Sequence, residues 1–331
     1  MKHANISLFV PHMGCPHQCS FCNQKTISGS VKELNPQEVT KVLESAVAYG
    51  VDSENTEIAF FGGSFTAIEY DYMISLLEAT VPFIKNGDFC GIRVSTRPDA
   101  IDENILKTLK KYNVTSIELG AQSTDPDVLV INKRGHTHQH IIDASHLIKA
   151  YGFSLGLQMM TGLLGDTPEK SLKTCDDIIA LKPDTVRIYP TITLEGTYLG
   201  ELYKKGQYKP QTLEEAVDLC GRLLKRFYEN DIEVIRLGLH SGGNVEEGYL
   251  AGPYHPAFGE LCLSSLYLQI AREEIVRSDI RNKKITLFVN PTEISKMTGQ
   301  KAINKKILSE SGYDVVIKGD EGLQKYEVKV R

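Results

Sequence analysis

Three cysteines, Cys15, Cys19 and Cys22, fall within the stretch GCPHQCSFCNQ at 14–24, in the spacing C-x3-C-x2-C. Thiolates are soft ligands that favour zinc or iron–sulfur centres. A four-iron cluster ligated wholly by protein takes four cysteines. Three from one loop leave one metal with an open position, which separates catalytic metal sites from closed structural ones. Two other readings stand beside this one. His12 or His17 would complete a structural zinc site, or the three cysteines are unrelated core residues, which so polar a loop disfavours.

A loop of this kind needs a frame. The chain has 331 residues, enough for one large domain or two smaller ones with a sizeable core. Hydrophobic residues make up 41% and charged residues 24%, the balance of a soluble globular protein. The net charge of −5 excludes a general basic field for nucleic acid. It is unevenly spread, since residues 280–331 hold eleven Lys/Arg against six Asp/Glu, a mildly basic tail on an acidic body. The chain opens without the apolar core of an export signal. Its notable uncharged run, Ala150 to Gly165, is too short to span a bilayer. A cytoplasmic protein with no membrane association is expected, where clustered cysteines bind metal or do chemistry.

Strand-like runs at Ile6–Val10, Glu57–Phe61, Gly91–Ser95, Ser116–Leu119, Phe153–Met160, Thr185–Tyr189 and Glu233–Leu239 read as near-continuously apolar, as in parallel strands covered on both faces. Helical patterns alternate with them. Asn35-Pro36 and Thr167-Pro168 are N-cap and first-turn pairs, and Thr212 to Glu215 is a capping box. This βαβα order predicts an α/β fold with a parallel sheet and a complete or partial (β/α) barrel. After Leu239 come a Gly-, Pro- and aromatic-rich loop, a long helix from about 260 to 278, and a β-α-α-β-β tail. Residues 1–258 are expected to form the barrel and 259–331 the last helix with a small subdomain. Cys90, Cys175 and Cys220 read as core residues, and Cys262 as core or facing the barrel mouth.

The cysteine spacing, with an aromatic (Phe21) before the last cysteine, resembles the signature of the radical S-adenosylmethionine (SAM) superfamily. FFGGSFT at 60–66, ELGAQS at 118–123, INKRGHT at 131–137, MTGLLGDT at 160–167 and VRIYPT at 186–191 resemble the catalytic subunit of Elongator and its shorter relatives. More distantly they resemble oxygen-independent coproporphyrinogen oxidase. The resemblance runs from about residue 3 to 270. It implies a partial (β/α)6 TIM-like barrel in which Cys15, Cys19 and Cys22 hold a [4Fe–4S] cluster and SAM chelates the fourth iron. One electron, from a ferredoxin or flavodoxin, would cleave SAM to methionine and a 5′-deoxyadenosyl radical that abstracts hydrogen from substrate.

The same resemblance places SAM against Gly62 and Gly63, with Ser64 standing where many members have an acid. It also implies contacts from Phe21, Ser95, Gln122, Arg134, Gln158, Met160 and Gly162. Arg134 is the partner for the SAM carboxylate, because a guanidinium fork suits a carboxylate bidentately. Ordinary turns, caps, core packing or surface charge would explain several of these residues taken singly. Tyr189 and His255 are candidate substrate contacts, against a satisfied buried tyrosine and an ordered loop. The tail is KH-like, a nucleic-acid clamp whose loop reads Gly299 to Ala302 without its final glycine. Lys296, Lys301, Lys305 and Lys306 surround that loop as phosphate-facing candidates, with a charged capping subdomain as the alternative. The expected function is hydrogen abstraction from a tRNA nucleoside. The alternatives are a radical SAM oxidoreductase acting on a small metabolite or tetrapyrrole, and a zinc-bound RNA-binding protein. The residues after the barrel are too few for the acetyltransferase domain of Elongator's catalytic subunit, so a separate acyl donor protein or a different reaction is expected.

Overall fold

The computed structural model describes residues 4–10, 18–23, 34–239, 245–278 and 282–331. Strands and helices alternate from the start: β1 (Ala4–Val10), α1 (Pro36–Ala48), β2 (Thr56–Gly62), α2 (Tyr70–Asn86), β3 (Gly91–Thr96), α3 (Glu103–Lys111) and β4 (Val114–Gln122). Then follow α4 (Pro126–Ile131), α5 (His138–Ala150), β5 (Ser154–Thr161), α6 (Pro168–Leu181), β6 (Thr185–Pro190), β7 (Thr193–Leu194), α7 (Tyr198–Lys204), α8 (Leu213–Glu229) and β8 (Glu233–Leu237). The expected caps are in place. Asn35 and Glu38 close a capping box at α1, Thr212 and Glu215 another at α8, and Thr167 caps α6. Each satisfies amide groups that the first helical turn leaves without partners.

Seven strands form one parallel sheet in the order β1-β2-β3-β4-β5-β6-β8. All seven strands expected from the sequence are present, one more than a (β/α)6 barrel has. Their two faces differ sharply. Leu8, Ile58, Phe60, Ile92, Val94, Ile117, Leu119, Leu155, Leu157, Val186 and Ile188 alternate along the strands and are buried in one core with the helices. Each such side chain contributes roughly 1.5–3 kcal/mol on leaving water. The intervening positions point the other way and include Glu57, Arg93, Ser95, Glu118, Gln158, Arg187 and Arg236. The strands therefore alternate apolar and polar; they are not the continuously apolar runs expected.

One contact reveals the curl. The Arg187 guanidinium on β6 lies 5.3 Å from the Phe61 ring centre on β2, four strands away. A flat sheet would hold those strands about 19 Å apart. The polar face is thus the inside of a half-barrel.

The remaining elements are α9 (Val245–Gly248), β9 (Tyr249–Ala251), α10 (Phe258–Arg277), β10 (Lys284–Val289), α11 (Ile294–Thr298), α12 (Ile303–Glu310), β11 (Asp314–Gly319) and β12 (Val328–Val330). Strands β7 and β9 pair antiparallel across the loops of the barrel. In the tail, β10 pairs in parallel with β11 and antiparallel with β12. Helix α10 serves both parts: Phe258, Cys262 and Leu266 join the barrel core, whereas Tyr267, Ala271 and Ile275 join a second core with β10 and β11. Cys175 and Cys220 are fully buried, as expected, and so is Cys262, which touches Cys220 instead of facing the barrel mouth. Cys90 is exposed, contrary to its reading as a core residue, because it lies just before β3 enters the sheet. Among the described residues no helix is long and apolar enough to cross a membrane.

Candidate active site

Cys15 lies outside the described residues; Cys19 is buried and Cys22 half-buried. The Cys22 N–H donates to the Cys19 carbonyl at 3.2 Å, a tight turn that places the two cysteines at its two ends. Ser20 between them anchors the loop. Its N–H donates to the Asn132 carbonyl at 3.1 Å, its hydroxyl to Asn132 Oδ1 at 2.6 Å, and its carbonyl accepts the Leu199 N–H at 2.8 Å. Asn132 is held in turn by donating to the carbonyls of Val128 and Leu164. The cysteine turn is therefore pinned to the C-terminus of α4 and the start of α7.

Arg134 reaches this turn from the loop after α4. Its Nη1 donates to Cys19 Sγ at 3.0 Å and its Nη2 to the Gly120 carbonyl at 2.7 Å, while its guanidinium lies 5.8 Å from the centre of the Phe21 ring. The loop backbone is fixed as well. Arg97 grips Asp99 with two bonds of 2.9 and 2.8 Å and donates to the Arg134 carbonyl at 2.8 Å. Burial alone would raise the Asp99 carboxyl, but the Arg97 contacts outweigh it and hold it below its ordinary value.

Glycines set the spacing. A Cβ on Gly120 would stand 3.0 Å from Gln122 Nε2 and 3.5 Å from Arg134 Nη2, so its bare backbone lets those two side chains converge. Gly62 has φ +112°, and a Cβ there would meet the Val10 carbonyl oxygen at 2.6 Å. Gly63 N–H donates to that same oxygen at 2.9 Å. The glycine turn is thus strapped against the end of β1. Ser64 beside it is buried and makes no capping bond.

Ser95 Oγ at the end of β3, Gln122 Oε1 at the end of β4, and Arg134 Nε are buried polar atoms without a partner among the described residues. Gln122 also has φ +65°, rare for a non-glycine residue. Buried polar atoms are nearly always paired. Three orphans along the C-terminal rim of one sheet, beside a thiol turn, fit a polar ligand with both donors and acceptors. Sequence reasoning named all three residues; the fold brings Gln122 and Arg134 together over Gly120 and places Ser95 on the strand next to β4.

Other candidates are placed differently. Gln158 donates to Glu118 and is tied into the inner wall. Met160 lies next to Tyr189 in register, and both are half-buried. Burial holds the Tyr189 hydroxyl above its ordinary value. Gly162 forms a turn: its N–H donates to Asp166 at 2.9 Å and its carbonyl accepts from Tyr208 at 2.6 Å. It borders a side cleft of about 500 Å³ between residues 162–168 and 207–222. His255 Nδ1 accepts the Ala257 N–H, which orders its own loop. Lys301 belongs to the tail, where it is exposed with φ +52°. Lys296 is paired with Glu293 at 2.8 Å, so it leaves the expected cluster of free tail lysines.

The inner wall was missed at the sequence level. Glu118 Oε2 accepts from Arg187 Nε at 2.6 Å and lies 3.9 Å from Arg93 Nη1. Arg93 also pairs with Glu57 at 2.8 Å, and Glu57 accepts from Ser116 and Thr115. Burial would raise Glu57, but Arg93 and the two hydroxyls more than offset that and keep its carboxyl below the ordinary value. The available signal was a single charged residue inside each of four largely uncharged strands: Glu57 in β2, Arg93 in β3, Glu118 in β4 and Arg187 in β6.

A parallel half-barrel that gathers a thiol turn, a buried guanidinium and orphaned polar atoms at the C-terminal ends of its strands carries them where barrel enzymes have their active sites. Residues 9–178 match the radical SAM superfamily, and residues 183–267 match the radical SAM C-terminal domain. The chain belongs to the radical SAM superfamily. It is 28% identical over 256 residues to the tRNA uridine(34) acetyltransferase of Methanocaldococcus jannaschii, covering 65% of this chain and 47% of that one. It is 31% identical over 202 residues to human (Homo sapiens) Elongator complex protein 3, covering 55% and 37%. The chain thus spans less than half the length of these two relatives. The solved structure of Methanocaldococcus infernus Elp3 with an N-terminal deletion has the same fold, with a TM-score of 0.60 and 21% identity over 86% of this chain and 65% of that one.

Proposed function

We propose that this radical SAM enzyme abstracts hydrogen from a nucleoside of tRNA. The observation that carries the reading is the thiol turn pinned beside Arg134 at the mouth of a half-barrel with a polar interior. The tRNA-acting relatives support the substrate class. Cys19 and Cys22, with Cys15, would hold a [4Fe–4S] cluster, and Ser95, Gln122, Arg134 and the Gly62-Gly63 backbone would hold SAM. When bound, the pair supplies one-electron reduction of a sulfonium and a 5′-deoxyadenosyl radical able to take hydrogen from an unactivated carbon. A ferredoxin or flavodoxin is the proposed electron source.

The chain's own residues bind, orient and shield. Ser20 and Asn132 fix the thiol turn. The Arg134 N–H directed at Cys19 Sγ would spread thiolate charge, one of the levers on the potential of an iron–sulfur centre. Phe21 places an aromatic ring 5.8 Å from that guanidinium. Glu118, Arg187 and Gln158 give the interior a fixed polar floor instead of an apolar one. We assign residues 1–258 to catalysis and 259–331 to a subdomain that holds RNA through Lys301, Lys305 and Lys306.

The test is an anaerobic assay of reconstituted, reduced protein with SAM, with and without bulk tRNA. 5′-Deoxyadenosine should rise at least several-fold with tRNA and vanish in Cys19→Ala. Product that is indifferent to tRNA would remove the substrate assignment.

A further inference from the structure

The register of the inner wall places four residues in one tier. Gly120 on β4 pairs with Gln158 on β5, Gln158 with Arg187 on β6, and Arg187 with Arg236 on β8. The Gly120 carbonyl is the one that receives Arg134. This tier therefore lies at the level of the candidate cofactor site, and Arg236 is on the last strand of the sheet.

Charge is unbalanced there. Glu118 serves Arg187, Arg93 and Gln158 together. Among the described residues no carboxylate comes within 4.0 Å of Arg236, whose Nε donates only to the Gly238 carbonyl at 2.9 Å. Arg236 is half-buried, and burial lowers its affinity for its proton; Tyr189 opposes that, and Arg187, the weakest of the three influences, adds to it. Arg187 and Arg236 stand beside one another in a partly desolvated wall, and the carboxylate there, Glu118, is already taken by Arg187 and Arg93, so Arg236 calls for an anion. A forked, permanently charged donor suits phosphate oxygens.

We propose that Arg236, with Arg187 and Tyr189 beside it, binds a phosphate of the substrate, namely the phosphodiester next to the nucleoside that is modified. This rests on the tRNA reading for its choice of a diester, though not for the anion site itself. The guanidinium anchors the nucleotide by its backbone and leaves the base and sugar to face the cofactor.

The experiment is calorimetric titration of the reconstituted enzyme, with SAM present, by uridine, uridine 5′-monophosphate and the dinucleotide UpU. UpU should bind about tenfold more tightly than uridine to the unaltered enzyme, the usual worth of one charge-assisted contact. Arg236→Gln should bring UpU and uridine within about twofold of each other, and Arg236→Lys should keep part of the preference. Near-UV circular dichroism matched to the parent shows that each variant is folded. Equal binding of UpU and uridine by the parent overturns the proposal, as does a preference that survives Arg236→Gln, or a loss of SAM affinity in its place. Preference for the monophosphate alone overturns the diester assignment and points to a free phosphorylated metabolite. Tight UpU binding without tRNA-dependent 5′-deoxyadenosine supports the site while removing the tRNA reading. tRNA-dependent product with no UpU preference does the reverse.

Discussion

Glu118 concentrates the energetics of single residues in this molecule. It is 1% exposed and is met by Arg187, Arg93 and Gln158. Removing one partner of a buried ion pair strands the other and costs roughly 3–5 kcal/mol, whereas removing both costs far less than the sum. Glu118→Leu and Arg187→Leu should each lose stability on that scale in urea denaturation, and the double variant should recover much of it; additive losses would mean that the pair is not coupled. His136 gives a pH test. It is 4% exposed, with Nε2 3.2 Å from the Ala121 carbonyl, and burial first and the Arg134 charge second push its pKa down to about 3. The folded value lies below the ordinary one near 6.5. The contribution is therefore complete above pH 6.5 and is lost as pH falls from there toward 3, at up to about 1.4 kcal/mol per pH unit. Thermal melts at pH 7.5 and pH 5 should differ less for His136→Gln than for the parent, and an unchanged difference would exclude His136 as the cause.

At the scale of elements, the strap between β1 and β2 is the sensitive joint. An alanine at Gly62 would carry a left-handed φ of +112° and a Cβ 2.6 Å from the Val10 oxygen. Such strain costs on the order of 1–3 kcal/mol. Gly62→Ala should therefore melt at lower temperature and take up less iron on reconstitution, since β1 runs directly into the cysteine segment; full iron content would show that the strap is not needed for the site. All seven strands were located by their apolar residues, though the alternation of their two faces was not read, and the caps of α1, α6 and α8 were legible as polar residues before proline or before glutamate. The two-residue β7 and three-residue β9 were not, because strands so short have no period. Strand β4 extends to Gln122 where the sequence suggested an end at Leu119, since Gly120 and Gln122 are poor strand formers whose conformation the site dictates. Motif resemblance named Ser95, Gln122 and Arg134 as candidates, and two of them, Gln122 and Arg134, approach one another over Gly120. The Glu118–Arg187 pair was not legible, because 69 residues separate the partners and they meet across the intervening strand β5, over Gly156.

The whole molecule joins an acidic barrel to a basic tail through one shared helix, α10. With Lys296 paired to Glu293, three exposed lysines remain near the tail loop. If they meet tRNA phosphates, replacing Lys301, Lys305 and Lys306 with glutamine should weaken tRNA binding and flatten its salt dependence, reducing the log–log slope by about 2. An unchanged slope would leave the tail as a cap on the barrel. The central claim is that three cysteines hold a cluster with one iron open to SAM. The most direct measurement is the Mössbauer spectrum of protein reconstituted with isotopically enriched iron, recorded before and after SAM is added. The expected result is a four-iron cluster in which SAM shifts one iron away from the other three. Spectra unmoved by SAM, or a preparation that binds zinc and takes up no iron, would contradict it.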